Sequence, residues 1–138
     1  MRISPFQIAL LLSACLWSGC SSFTTVTIAG PRPQIEAVSE VIVSVCKAHG
    51  YTQSLSRDPI RGYNRYSNDP RNRLVRGWEK SVDYPTIYEF WREDRFVILI
   101  YTRNALSRHY GEELKQKVLA ADSNLEVLVE DQSFVDLT

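Results

Sequence analysis

Thr86-Ile87-Tyr88-Glu89-Phe90-Trp91-Arg92 and Phe96-Val97-Ile98-Leu99-Ile100-Tyr101, parted by a short polar break with a turn at Glu93-Asp94, decide the fold. Both runs are rich in β-branched and aromatic residues, and so short a polar break between them predicts a β-hairpin. The second arm is apolar on both faces, which predicts an interior strand rather than an edge. Burying each of its large side chains contributes about 1.5–3 kcal/mol relative to exposure. This arm is therefore expected to be the folding core.

Working outward, 74–80 reads as a strand leading into the hairpin, weakened by Gly77. Beyond the hairpin, Asn104 can cap a helix reaching about Ala121. Leu106, Tyr110, Leu114, Val118 and Ala121 form its apolar stripe, Glu112, Glu113, Lys115 and Lys117 its wet side, and Gly111 lowers its helical tendency. Leu125, Val127 and Val129 then alternate with Glu126 and Glu130 as a last strand, ending in Phe134-Val135-Asp136-Leu137.

Upstream, 34–49 predicts another helix. Ile35, Val38, Val41 or Ile42, Val45 and Ala48 recur at helical spacing, Pro33 suits a first turn and Gly50 a stop. Residues 51–56 read as a short strand. Phe23-Thr24-Thr25-Val26-Thr27-Ile28 is β-branched and alternating, and reads either as a first strand or as an extended tether. The expected class is α+β: an antiparallel sheet with two helices packed on one face. If 23–28 is a strand, the order resembles the split βαβ, ferredoxin-like arrangement.

Before this domain lies an export signal. Arg2 supplies a charge, Ile8-Ala9-Leu10-Leu11-Leu12 opens an apolar run, and Ser18-Gly19-Cys20-Ser21-Ser22 closes it with small residues. A run of about ten residues falls well short of the ~18 or more that a spanning helix needs. Leu16-Trp17-Ser18-Gly19-Cys20 resembles the lipobox of bacterial lipoproteins, with Trp17 standing where Leu is usual. The resemblance implies cleavage before Cys20, acylation of its sulfur with chains such as palmitate, and acylation of the new amine. Leu12-Ser13-Ala14-Cys15 is the alternative, with Cys15 as the modified residue. Two or more acyl chains anchor stably where one does not. Ser21, with no Asp following the cysteine, implies the outer membrane facing the periplasm in a Gram-negative host. The implied organisation is a signal peptide at 1–19, a lipidated N-terminus and tether at 20–32, and one domain at 33–138.

Arg2 leaves with the signal, so 15 basic residues face 16 acidic ones. That balance argues against a nucleic-acid partner, which asks for a strongly basic domain. Apart from the signal cysteines only Cys46 remains, so no internal disulfide is expected. Cys46 and His49 stand three apart on the predicted helix. Nothing nearby in sequence polarises them, so a buried thiol and a helix-end histidine are expected rather than a reactive pair. His109 with Glu112 and Glu113 reads as ordinary helix-surface neighbours.

The best candidate contact surface is the segment 57–78. Arg57, Arg61, Arg65, Arg71, Arg73 and Arg76 face only Asp58 and Asp69, with Tyr63, Tyr66 and Trp78 interleaved. Arginine forks suit carboxylates and phosphates, and aromatic faces suit sugars or arginine planes. The plain alternative is a solvated loop whose arginines pair with the domain's own acids. Residues 122–138 carry five acids and no base, and are the expected intramolecular partner. The sequence holds no metal-ligand cluster, Gly-rich phosphate loop or Gly-x-Ser-x-Gly elbow, so neither a cofactor nor catalysis is expected. The expectation is a lipid-anchored envelope module that binds a larger protein partner through 57–78. Its rival is a binder of an anionic envelope polymer such as peptidoglycan or lipopolysaccharide.

Overall fold

A computed structural model describes residues 22–54, 69–81, 83–101 and 106–133. The elements follow as β1 (Ser22–Ala29), α1 (Arg32–Ala48), β2 (Thr52–Ser54), β3 (Asn72–Glu79), β4 (Thr86–Arg92), β5 (Arg95–Tyr101), α2 (Leu106–Ala121) and β6 (Glu126–Ser133). The six strands form one sheet in the order β2-β3-β4-β5-β1-β6, antiparallel at every pairing. The fold is α+β. Setting aside β2 and β3, the remaining elements run β-α-β-β-α-β in the strand order β4-β5-β1-β6. That is the split βαβ order, carrying two further strands beyond β4.

Strand alternation divides the core in two. Phe96, Ile98 and Ile100 of β5 pack with Val26 and Ile28 of β1, Ile35, Val38 and Ile42 of α1, and Tyr110, Leu114 and Val118 of α2. Both helices therefore lie on one face. Val97 and Leu99 point the other way and cluster with Phe23, Tyr88 and Phe90. The two-faced apolar character of β5 is thus used on both sides of an interior strand. The strand reading of 23–28 holds as well, because β1 lies between β5 and β6 rather than serving as a tether.

Local chemistry fixes the helix ends. Pro33 stands in the first turn of α1, where a missing N–H costs nothing, and the Pro31 carbonyl before it accepts from the Gln34 and Ile35 N–H groups at 3.0 and 3.1 Å. At the other end, Gly50 takes a φ of 81°. Its N–H donates to the Lys47 carbonyl and that of Tyr51 to the Cys46 carbonyl, each at 3.0 Å, a Schellman cap that turns Tyr51 into the core. The Lys80 ammonium adds a 2.7 Å bond to the His49 carbonyl, satisfying another orphan acceptor.

Candidate functional site

The arginine-aromatic segment does not stay together. Arg57, Arg61, Tyr63, Arg65 and Tyr66 lie outside the described residues. Arg71 is exposed but engaged locally. Its Nε and Nη2 donate to Asp69 Oδ1 and Oδ2 at 3.0 and 2.7 Å, and its backbone N–H reaches Oδ1 at 3.0 Å. This guanidinium holds the Asp69 carboxyl well below the usual carboxylate range, through direct hydrogen bonds first and charge second. Arg73 is exposed on β3. Both stand at the surface, Arg71 already paired with Asp69.

Arg76 and Trp78 leave it. Trp78 is 1% exposed, and its indole Nε1 donates to Glu89 Oε2 at 2.6 Å. The Arg76 guanidinium grips the same carboxylate with Nε to Oε2 at 2.9 Å and Nη2 to Oε1 at 2.8 Å. Glu89 is fully buried on the helix side of β4, between Ile87 and Trp91, and its register partner on β3 is Arg76. Three donors on two oxygens satisfy the carboxylate, and the bidentate fork is the strong form of such a pair. The arrangement locks the β3–β4 ladder. It also removes one of three rings that a sugar polymer would stack on.

Glu89 is the residue that sequence reasoning passed over. Its signal was visible: an acid at the parity of Ile87 and Trp91, in a strand whose alternate positions are all apolar or aromatic. Such a position is core, and a charge there demands a partner.

The expected pairing of the arginine segment with the acidic C-terminal stretch does not form among the described residues. Strand order sets the two at opposite sides of the sheet, β2 and β3 at one and β6 at the other. Asp131 instead meets Arg108 of α2 at 3.3 Å and Thr24 Oγ1 at 2.8 Å.

Cys46 and His49 separate as expected. Cys46 is buried, while the His49 ring turns to Glu113 of α2, Nε2 to Oε2 at 2.8 Å, and packs edge-on against Tyr110 at 4.8 Å. Glu113 thus serves the other helix and not His109, while Glu112 pairs with Arg108 at 2.8 Å. Burial pushes the Cys46 thiol up to about 12, and the charge of Glu89 adds to the shift. The thiol form then dominates at pH 8, and the thiolate is the reactive form. Iodoacetamide at that pH is expected to leave Cys46 unmodified in the folded protein and to alkylate it in urea, read by peptide mass mapping. Comparable labelling in both states would mean that its enclosure is not kept in solution.

Beside His49, a shallow groove of about 440 Å³ runs between the helices, lined by Val41, Ser44, Val45 and Ala48 with Glu40, Glu113 and Lys117 at its rim. Among the described residues no three His, Cys, Asp or Glu side chains gather where they could hold a metal ion, and no helix is long and apolar enough to cross a membrane. No protein family, curated protein or solved structure matches this chain.

Proposed function

We propose that this chain is a lipid-anchored protein of the cell envelope that acts by binding a larger envelope protein, without chemistry of its own. The observation that carries the reading is the distance in sequence between Cys20 and β1. The sheet begins at Ser22 with a strand that lies between two others. One residue separates the proposed acylated cysteine from that strand, and at ~3.3–3.6 Å per residue the domain is held within roughly 10 Å of its anchor. A domain so short of tether works at the bilayer surface. Its contacts must be made there, through Arg71, Arg73 and the arginines and tyrosines of 57–66.

The test is crosslinking in intact membranes followed by affinity purification, comparing wild type with the Arg61→Ala/Arg65→Ala/Arg71→Ala/Arg73→Ala variant. Loss of the co-purified partner is expected, and an unchanged partner would remove this surface. Intact mass from detergent extracts checks the anchor separately: Cys20→Ala is expected to lose all acyl mass and Cys15→Ala none. A wild-type chain without lipid would overturn the anchored reading.

A further inference from the structure

The sheet ends differently at its two sides. One side ends in β2, three residues long and paired with Gly77, Trp78 and Glu79 of β3, whereas β6 runs for eight and pairs only with β1 among the described residues. Among the described residues no strand lies beside the outer row of N–H and C=O groups on β6, and an edge of that length is a template for another. Alternation sets Val129 of this strand into the helix-side core. Glu126, Leu128 and Glu130 stand on the opposite face, all three exposed, Leu128 at 54%.

Leu128 is the last member of a register row that crosses five strands, Leu74–Phe90–Val97–Thr27–Leu128. Its exposure leaves the row open at that end. Neither Glu126 nor Glu130 forms a salt bridge among the described residues.

We propose that the β6 edge binds an extended basic segment of a partner protein as a seventh strand. The added strand supplies main-chain hydrogen bonds, an apolar residue opposite Leu128, and lysine or arginine at the alternate positions opposite Glu126 and Glu130. A second copy of this chain is a poor occupant. Antiparallel self-pairing centred on Leu128 sets Glu126 of each copy against Glu130 of the other, and like charges directly opposite destabilise a ladder. The edge lies across the sheet from Arg71 and Arg73, and its binding does not depend on lipidation.

The experiment titrates the full-length protein in detergent with a labelled eight-residue peptide, Thr-Lys-Thr-Val-Thr-Lys-Thr-Thr, read by fluorescence anisotropy. Saturable binding is expected, weakened at least tenfold in the Glu126→Lys/Glu130→Lys variant. A peptide with glutamate in place of lysine is expected to bind that variant in turn. N-methylation of the peptide amides that face β6 is expected to abolish binding. Three outcomes would each overturn the proposal: no saturable binding, indifference to charge reversal, or full binding by the N-methylated peptide. So would sedimentation showing that the protein already self-associates through β6 and loses this in the charge-reversed variant.

Discussion

Glu89→Ala is expected to destabilise the fold by about 3–5 kcal/mol, because it breaks a buried ion pair from one side only. In the wild type the carboxylate is fully enclosed and accepts two bonds from Arg76 and one from the Trp78 indole. Alanine leaves a guanidinium that is 17% exposed without its counter-charge and an enclosed indole N–H without an acceptor. The indole N–H cannot reach water without opening the β3–β4 ladder. Glu89→Gln is expected to cost less, since its amide oxygen can still accept from one donor while the charge is lost. The diagnostic variant is Glu89→Leu/Arg76→Leu. Replacing both members by apolar side chains removes the desolvation cost together with the attraction, and such swaps are often neutral or stabilising. Urea unfolding followed by circular dichroism should therefore place the double variant above Glu89→Ala. A Glu89→Ala midpoint equal to that of the wild type would mean that the pair is not formed in solution.

This pair also shows where sequence reading stops. The hairpin, the interior place of β5 and both helices were legible in local patterns of alternating or helical spacing, whereas the alternation of 23–28 fitted a first strand and an extended tether equally. Arg76 and Trp78 were misassigned to the surface by the company they keep, an arginine-rich run. What turns them inward is a register shift between Leu74 and Arg76. In a regular strand Leu74, Arg76 and Trp78 share one face. The bulge sends Leu74 outward, 52% exposed, and brings Arg76 and Trp78 onto the helix side, so the hydrophobic member is wet and the charged one nearly dry. The absence of pairs between arginines and C-terminal acids among the described residues has a different origin. Charge complementarity is a property of composition, whereas strand order is set by which elements share a core, and that order put them on opposite edges.

Gly111 makes the same point about α2, and its replacement gives the other large expected effect. Helix propensity alone says that Gly111→Ala gains about 1 kcal/mol. The packing says otherwise. A Cβ at position 111 would lie 2.9 Å from Thr24 Cγ2, 3.1 Å from Val129 Cγ1 and 3.5 Å from Val26 Cγ2. None of these can yield cheaply. Val26 and Val129 are stiff, buried strand residues, and Thr24 is held through its hydroxyl, which donates to Asp131 Oδ1 at 2.8 Å with Ser107 Oγ 3.2 Å away. The missing side chain is what lets α2 lie down on β1 and β6, so the cost of overpacking, typically about 1–3 kcal/mol, outweighs the propensity gain. Gly111→Ala is expected to be mildly destabilising. Gly111→Val, with two further methyl groups at the contact, is expected to lose about 3 kcal/mol, lowering Tm by on the order of 10 °C in a domain of this size. Gln116→Val, on the exposed side of the same helix, controls for β-branching and should shift Tm far less, because its cost is propensity alone. Because propensity and packing pull in opposite directions at position 111, the sign of the change decides between them. A Gly111→Val protein that melts no lower than the wild type would mean that α2 stands off the sheet.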